Sequence, residues 1–387
     1  MQLSGDERKT KVFAVFNSCS EATIPLENFV NIDAGRFEKH VVSFCQDQEK
    51  LHGLTAREYH HDNSLILHGL HSKGFLPFNI LKLAGLLLKE KPDIIHVHHS
   101  FSGLASTVIG RLFSKTRIVV TLHSDYGFYN RAQKLCFLLM CMAADLVVCN
   151  SNNTKRSLDG IRERFFRKVE MVVIYNGVNL EKVRRACRPG VAGAGREGVF
   201  VVGSVGRLSC AKDHETMIRA FASFSRKIDS ELRLVGDGPL RRKLETLSEK
   251  LGIREKVFFY GSLPRARAYE ELCAFDIFVV SSRWEGFCNA IAEAMIGQIE
   301  VIASRIETLV EVVGEDNGTF FTVGDAEDLC RKMLACYEHR SRHDDMIRRS
   351  HDFACMRYSL EQSSRRYAHA YETALGRPVW SSNSSVV

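Results

Sequence analysis

No uninterrupted apolar stretch of this 387-residue chain approaches ~20 residues, so no helix of it is expected to cross a bilayer. The first residues, Met1 to Lys11, are polar and charged and lack the apolar core of a secretory signal. The twelve cysteines include no Cys-x-x-Cys. They are scattered, several in apolar runs, and read as buried free thiols in a reducing cytoplasm. There is also no Asp-x-Asp pair of the kind that holds a divalent metal. The net charge of +7 fits an anionic ligand, an anionic membrane surface or nucleic acid equally well, and decides little. What is present is an ordinary balance, 45% apolar and 26% charged, on a chain long enough for two domains.

In the first half, short β-branched runs alternate with helical segments. Lys11–Phe16, Val41–Phe44, Leu65–Leu67, Asp93–His99, Ile118–His123, Leu146–Asn150 and Val172–Gly177 read as strands. The helical period of Asn79–Glu90 stops at Lys91-Pro92, where proline cannot continue it. The pattern is that of a parallel βαβ sheet. Its strands end in polar tips: His98 and His99, His123 with Ser124 and Asp125, Asn150, and Asn176. A metal site at His96, His98 and His99 is not favoured, because strand alternation sends His99 to the opposite face and no further ligands complete a set. Lys155, Arg156, Arg162, Arg164, Arg167 and Lys168, around Phe165-Phe166, could dock on an anionic bilayer, or simply form a solvated helix end.

Arg188–Gly198 is rich in glycine and small residues and is the natural place for a linker. Beyond it the alternation restarts, with strands at Val199–Gly206, Leu232–Val235, Val257–Tyr260 and Asp276–Val280, and helices at His214–Phe224 and Arg241–Leu251. The last of these strands runs into Ser281-Ser-Arg-Trp-Glu285-Gly286-Phe287-Cys288-Asn289-Ala-Ile-Ala-Glu293-Ala-Met295. Apolar residues at Ile291, Ala294 and Met295 set a helix after Gly286, so Glu285 and Gly286 lie in a strand-to-helix turn, where open α/β sheets bind ligands. The amides near Phe287, Cys288 and Asn289 sit at the positive end of a helix dipole. Glu285 outside the helix and Glu293 inside it stand roughly 10 Å apart by helical rise. Carboxylates so placed suit vicinal hydroxyls, or else cap and pack the helix. Arg207 and Lys212, in Val205-Gly-Arg-Leu-x-x-x-Lys212, supply two cations at the end of another strand, suited to a diphosphate.

These stretches resemble retaining glycosyltransferases of family 4. Glu285 to Met295 is similar to the family's E-x7-E signature, Gly206 to Lys212 to its G-R-L-x-x-x-K-G, with Asp213 in place of the last glycine, and Thr121-Leu-His123 to its T-L-H histidine. The resemblance covers Val12 to about Leu375. It implies the GT-B fold, an α/β architecture of two Rossmann-like doubly wound domains facing across a cleft. The implied boundaries are an acceptor-side domain at 1–184, a linker at 185–198, a nucleotide-sugar domain at 199–356, and a helix crossing back at 357–387.

The activity implied is transfer of a hexosyl unit from a nucleoside diphosphate sugar, UDP preferred over GDP, to a glycan, lipid-linked or small-molecule hydroxyl with retention. His123, Arg207, Lys212 and Glu285 would be catalytic. Gly286, Phe287, Cys288, Asn289, Glu293, Gly261, Ser262 and Leu263 would bind the donor, and Ser18, Ser20, His98 and Asp125 would lie on the acceptor side. The loop after the first strand, Ser18–Pro25, lacks the family's glycine pair, which leaves the acceptor open. No metal or other cofactor and no nucleic acid are implied. The location is cytoplasmic, with peripheral membrane contact through Lys155–Lys168 an open alternative. A sugar-nucleotide epimerase and a silent sugar-nucleotide-binding protein remain as rivals.

Overall fold

The computed structural model describes residues 8–19, 24–51, 64–70, 76–113, 115–188, 198–339 and 344–377. Ser20, most of the glycine-rich stretch and the Ser381–Val387 tail lie outside the described residues. The chain forms two units, one of residues 1–177 with 360–387, the other of residues 178–359.

The first unit is built on a parallel sheet of β1 (Thr10–Phe16), β2 (Phe37–Ser43), β3 (Leu65–Gly69), β4 (Ile94–Val97), β5 (Arg117–Leu122), β6 (Leu146–Cys149) and β7 (Glu170–Val173), in the order β3-β2-β1-β4-β5-β6-β7. Its helices are α1 (Ile24–Val30), α2 (Leu76–Glu90), α3 (Ser100–Phe113), α4 (Arg131–Met142), α5 (Asn152–Arg156), α6 (Asp159–Phe165) and α15 (Leu360–Ala374). Both faces of the sheet are covered, so the strands are apolar on both sides rather than alternating. Phe13 and Val15 belong to the core shared with α2, α3 and α4. Val12, Ala14 and Phe16 point the other way, into the core shared with α1 and α15.

The second unit has a sheet of β8 (Phe200–Val205), β9 (Ser230–Val235), β10 (Val257–Gly261), β11 (Ile277–Val280), β12 (Glu300–Ser304) and β13 (Thr319–Phe321), in the order β10-β9-β8-β11-β12-β13. Its helices are α7 (Leu180–Ala186), α8 (His214–Phe224), α9 (Arg241–Lys250), α10 (Arg265–Leu272), α11 (Asn289–Ile296), α12 (Glu307–Val313), α13 (Ala326–Glu338) and α14 (Asp344–Tyr358). Strand order reverses between β8 and β11, which puts the crevice of an open α/β sheet at their carboxyl ends.

The structure corrects three expectations. The chain passes between units at Gly177/Val178 and Ser359/Leu360, not in the glycine-rich stretch, and α7 belongs wholly to the second unit. Gly177 is required at its crossing, since a Cβ there would meet Asn28 Oδ1 at 2.6 Å and Leu360 Cα at 2.7 Å. Two cysteines are not free: Cys187, just after α7, is bonded to Cys273 at the end of α10. Finally, the aromatic pair at 165–166 is divided. Phe165 is exposed, with Arg164 over its ring, whereas Phe166 is buried in the core and cannot enter a bilayer.

Candidate active site

The loops after β8 and β11 are tied together at the switch point. Ser281 Oγ donates to the carbonyls of Lys212 and Asp213, both at 2.9 Å, and the Arg283 amide donates to the Ala211 carbonyl at 2.8 Å. Lys212 Nζ donates to Glu285 Oε1 at 2.5 Å, and Ser282 Oγ donates to the same oxygen at 2.6 Å. The Thr308 hydroxyl donates to the Glu285 carbonyl at 3.1 Å. Both side chains of the pair are largely buried, 22% and 11% exposed. Burial by itself would lower the Lys212 pKa, but Cys288, with Sγ 4.0 Å from Nζ, and Glu285 raise it above its ordinary value. The Cys288 thiol is itself pushed up to about 12, chiefly by burial, so near neutrality it is uncharged and Glu285 is what holds the ammonium.

Two residues of this crevice adopt left-handed backbone. Asp213 (φ 46°, ψ 47°) occupies the position where the resembled motif has glycine, and the conformation explains that preference. A β-carbon there costs about 1–2 kcal/mol. Arg283 Nε and Thr216 Oγ1 both donate to its Oδ2, at 3.0 and 2.9 Å, and hold the aspartate in place. In the second turn the left-handed residue is Cys288 (φ 70°, ψ 75°), immediately before α11.

Glu293 is buried on α11, and Arg265 Nη2 and the Tyr269 hydroxyl each donate to its Oε1 at 3.2 Å. Arg265 Nε donates in turn to the Tyr269 hydroxyl at 2.6 Å. The sequence reading missed Arg265 and Tyr269, although their i, i+4 spacing just past Gly261-Ser-Leu-Pro264 was available as a signal. Arg207 stands on the β8 loop, exposed, with no ion-pair or hydrogen-bond partner among the described residues. The two cations are therefore unlike: Lys212 is committed to Glu285, and Arg207 is free to meet an anion. The Phe287 side chain is core, packed edge-on against Tyr358 at 5.1 Å, and Asn289 opens α11.

The β9 and β10 loops complete the rim. Leu208 N–H donates to the Asp237 carbonyl at 3.0 Å and Gly236 N–H to the Gly261 carbonyl at 2.8 Å. Gly261 is left-handed (φ 71°), Ser262 is exposed and Leu263 half-buried. Gly236 has φ 130°, and a Cβ on it would lie 2.0 Å from the Gly206 carbonyl oxygen. Gly236→Ala therefore combines a forbidden backbone with a clash against main chain. It is expected to cost more than ~3 kcal/mol. A denaturant midpoint equal to wild type would contradict this packing.

In the first unit the switch point lies between β1 and β4. His98, beyond β4, is buried and stacked on Phe16 at 4.6 Å, with Nδ1 3.1 Å from Nε2 of His123, beyond β5. His98 Nε2 is buried with no hydrogen-bond partner among the described residues. Burial pushes His123 down to about 3 and His98 well below the ordinary imidazole value, so both are neutral near pH 7. His96 is used structurally, between Tyr371 Oη and Thr121 Oγ1, both at 2.7 Å. Ser18 is exposed after β1. Asp125 is half-buried and caps a short turn by accepting from the Gly127 amide at 2.7 Å.

Two Rossmann-like parallel units, with charged loops at the switch point of the second, define the GT-B class of α/β protein. Known proteins agree. Residues 34–182 match the model of Glycosyltransferase Family 4, and residues 193–353 that of Glycosyl transferases group 1. The chain belongs to the family 4 glycosyltransferases. It is 30% identical over 251 residues to the Escherichia coli UDP-Gal:alpha-D-GlcNAc-diphosphoundecaprenol alpha-1,3-galactosyltransferase (59% of this chain, 62% of that one). To the Campylobacter jejuni N-acetylgalactosamine-N,N'-diacetylbacillosaminyl-diphospho-undecaprenol 4-alpha-N-acetylgalactosaminyltransferase it is 27% identical over 257 residues (63% and 66%). The matched stretch thus spans about three-fifths of the length of these curated relatives. The fold is similar to that of Anabaena HepE in complex with UDP-glucose, with a TM-score of 0.77 at 20% identity over 94% of this chain and 99% of the other.

Proposed function

We propose that the protein is a retaining glycosyltransferase that moves a hexosyl unit from a UDP-sugar to a hydroxyl of a lipid-linked glycan. The observation that carries this reading is the buried Lys212–Glu285 pair beside an unpartnered Arg207 at the β8/β11 switch point. Arg207 would fork onto the diphosphate and stabilise it as it leaves. Lys212 would hold Glu285 toward the sugar hydroxyls and add a second positive charge. Glu293, fixed by Arg265 and Tyr269, would accept the two ribose hydroxyls. With this fixed positive charge the reading requires no metal. His123, neutral, keeps the catalytic role that the resemblance implies.

In the reaction the bond from C1 to the β-phosphate oxygen breaks and the acceptor oxygen bonds C1 on the same face. The acceptor proton passes to the leaving phosphate, giving UDP. The acceptor class follows the two relatives, whose names specify diphospho-undecaprenol-linked sugars.

Thermal-shift screening against UDP-, GDP-, ADP- and TDP-sugars identifies the donor, and the anomeric configuration of the product, read by NMR, tests retention. Arg207→Ala is expected to cut turnover by ~10²-fold or more, with little effect on folding because the side chain is exposed. Wild-type turnover in that variant, or an inverted product, would overturn the reading. Activity undiminished by a chelator is expected as well.

A further inference from the structure

The outer side of α2, α3 and α4 is where the first unit departs from an ordinary surface. The three helices lie side by side over one face of the sheet, α3 in contact with both of the others. Gly103 brings α3 close, since a Cβ on it would meet Met140 Sδ of α4 at 2.8 Å. Each helix turns one stripe to the sheet and carries a second apolar stripe on the opposite side. On α2, Leu81 and Leu88 stand two turns apart, 67% and 46% exposed. Val108 and Leu112 of α3, and Leu135 and Leu139 of α4, repeat the arrangement one turn apart, and Leu112 is 70% exposed. Of the sixteen large apolar residues exposed among the described residues, nine lie on these helices, three on each. Apolar surface of this extent, with no covering element among the described residues, marks a contact site.

Charge indicates what the contact is. The sequences of α2, α3 and α4 contain a single acid, Glu90, and it is ion-paired with Lys11 at 2.9 Å. The same helices carry Lys82, Lys89, Arg111, Arg131 and Lys134, of which Arg111 is paired with Asp145 at 2.7 Å and Lys89 with Glu90 at 4.0 Å. An isologous dimer through this face would set these cations against their own copies, which is unfavourable. Apolar side chains amid an excess of cations match instead the interface of an anionic bilayer. No helix among the described residues is long and apolar enough to cross a membrane, so contact here would be lateral docking.

We propose that the α2–α3–α4 face docks the protein on anionic lipid, in place of the basic stretch at 155–168, whose Phe166 is buried. The docking stands independently of the transferase reading.

The test is co-sedimentation of the full chain with vesicles of phosphatidylcholine containing 30% phosphatidylglycerol, and with vesicles of phosphatidylcholine alone, at low and high salt. Wild type should partition onto the anionic vesicles and be released by salt. The triple variant Leu81→Glu, Leu112→Glu, Leu135→Glu should lose at least about tenfold in partition. Because these side chains are exposed, its thermal midpoint and its donor turnover on a soluble acceptor analogue should stay near wild type. If that variant fails to fold, Phe78→Trp replaces it as the reporter: its emission should shift to the blue and be quenched by brominated lipid. Absence of binding by wild type, equal binding by the folded triple variant, emission from Phe78→Trp that brominated lipid does not quench, or a dimer that the triple variant dissociates would each overturn the proposal.

Discussion

Lys212→Met is expected to lower turnover by about 10²–10³-fold and, separately, to destabilise the second unit by roughly 3 kcal/mol. The two losses have different origins. Glu285 is only 11% exposed, and its Oε1 is held by Lys212 Nζ and Ser282 Oγ. Removing the ammonium leaves a mostly buried carboxylate with one neutral donor, the most costly way to break such a pair. Turnover falls for another reason, since the leaving diphosphate loses fixed positive charge. Pairing Lys212→Met with Glu285→Gln separates these effects. The neutral pair removes the unpaired charge, so the denaturant midpoint should return most of the way to wild type. Turnover should stay at least about 10²-fold down. If turnover recovered together with stability, Lys212 would be a scaffold for the turn and no more.

The strands were legible because a parallel sheet covered on both faces requires uninterrupted apolar runs, and Val12–Phe16, Leu146–Cys149 and Ile277–Val280 are such runs. The turn at 281–289 and the cations at 207 and 212 were legible because strand, turn chemistry and helix follow one another within a few residues. Long-range partners were not. Arg265 and Tyr269 reach Glu293 from a helix whose own pattern says only that it is amphipathic. Cys187 and Cys273 are 86 residues apart, and nothing in their spacing pairs them. The glycine-rich stretch misled because composition reports local pliability, whereas the crossing between units is fixed by packing at Gly177 against Asn28 and Leu360. Phe165 and Phe166 looked alike in sequence, and only the core decided which of them faces water.

Acidification should unfold the first unit before the second. Burial depresses six histidines of the first unit, His40, His68, His96, His98, His99 and His123, and His68, His96 and His123 fall to about 4, 3 and 3. Among the described residues the second unit has one of this kind, His214, at about 3. The sign follows from proton uptake. Above the unfolded imidazole pKa of about 6.5 both states are neutral and these groups leave stability untouched. Below it the unfolded chain binds protons that the folded unit refuses, and stability falls as pH drops toward the folded values. Each fully buried histidine contributes roughly 1 kcal/mol per pH unit. His40, His96 and His98 are fully buried, and their losses add in the same direction as pH falls below about 6.5. His96 matters most, because it links β4 to Tyr371 of α15 and to Thr121 of β5, and charging it removes its ability to accept. Urea midpoints read by a probe in each unit should diverge as pH falls. His96→Gln should be less stable than wild type near pH 7.5 yet show a shallower loss toward about pH 4.5. Midpoints that move together, or a His96→Gln slope as steep as wild type, would mean that these imidazoles are not held neutral by the fold.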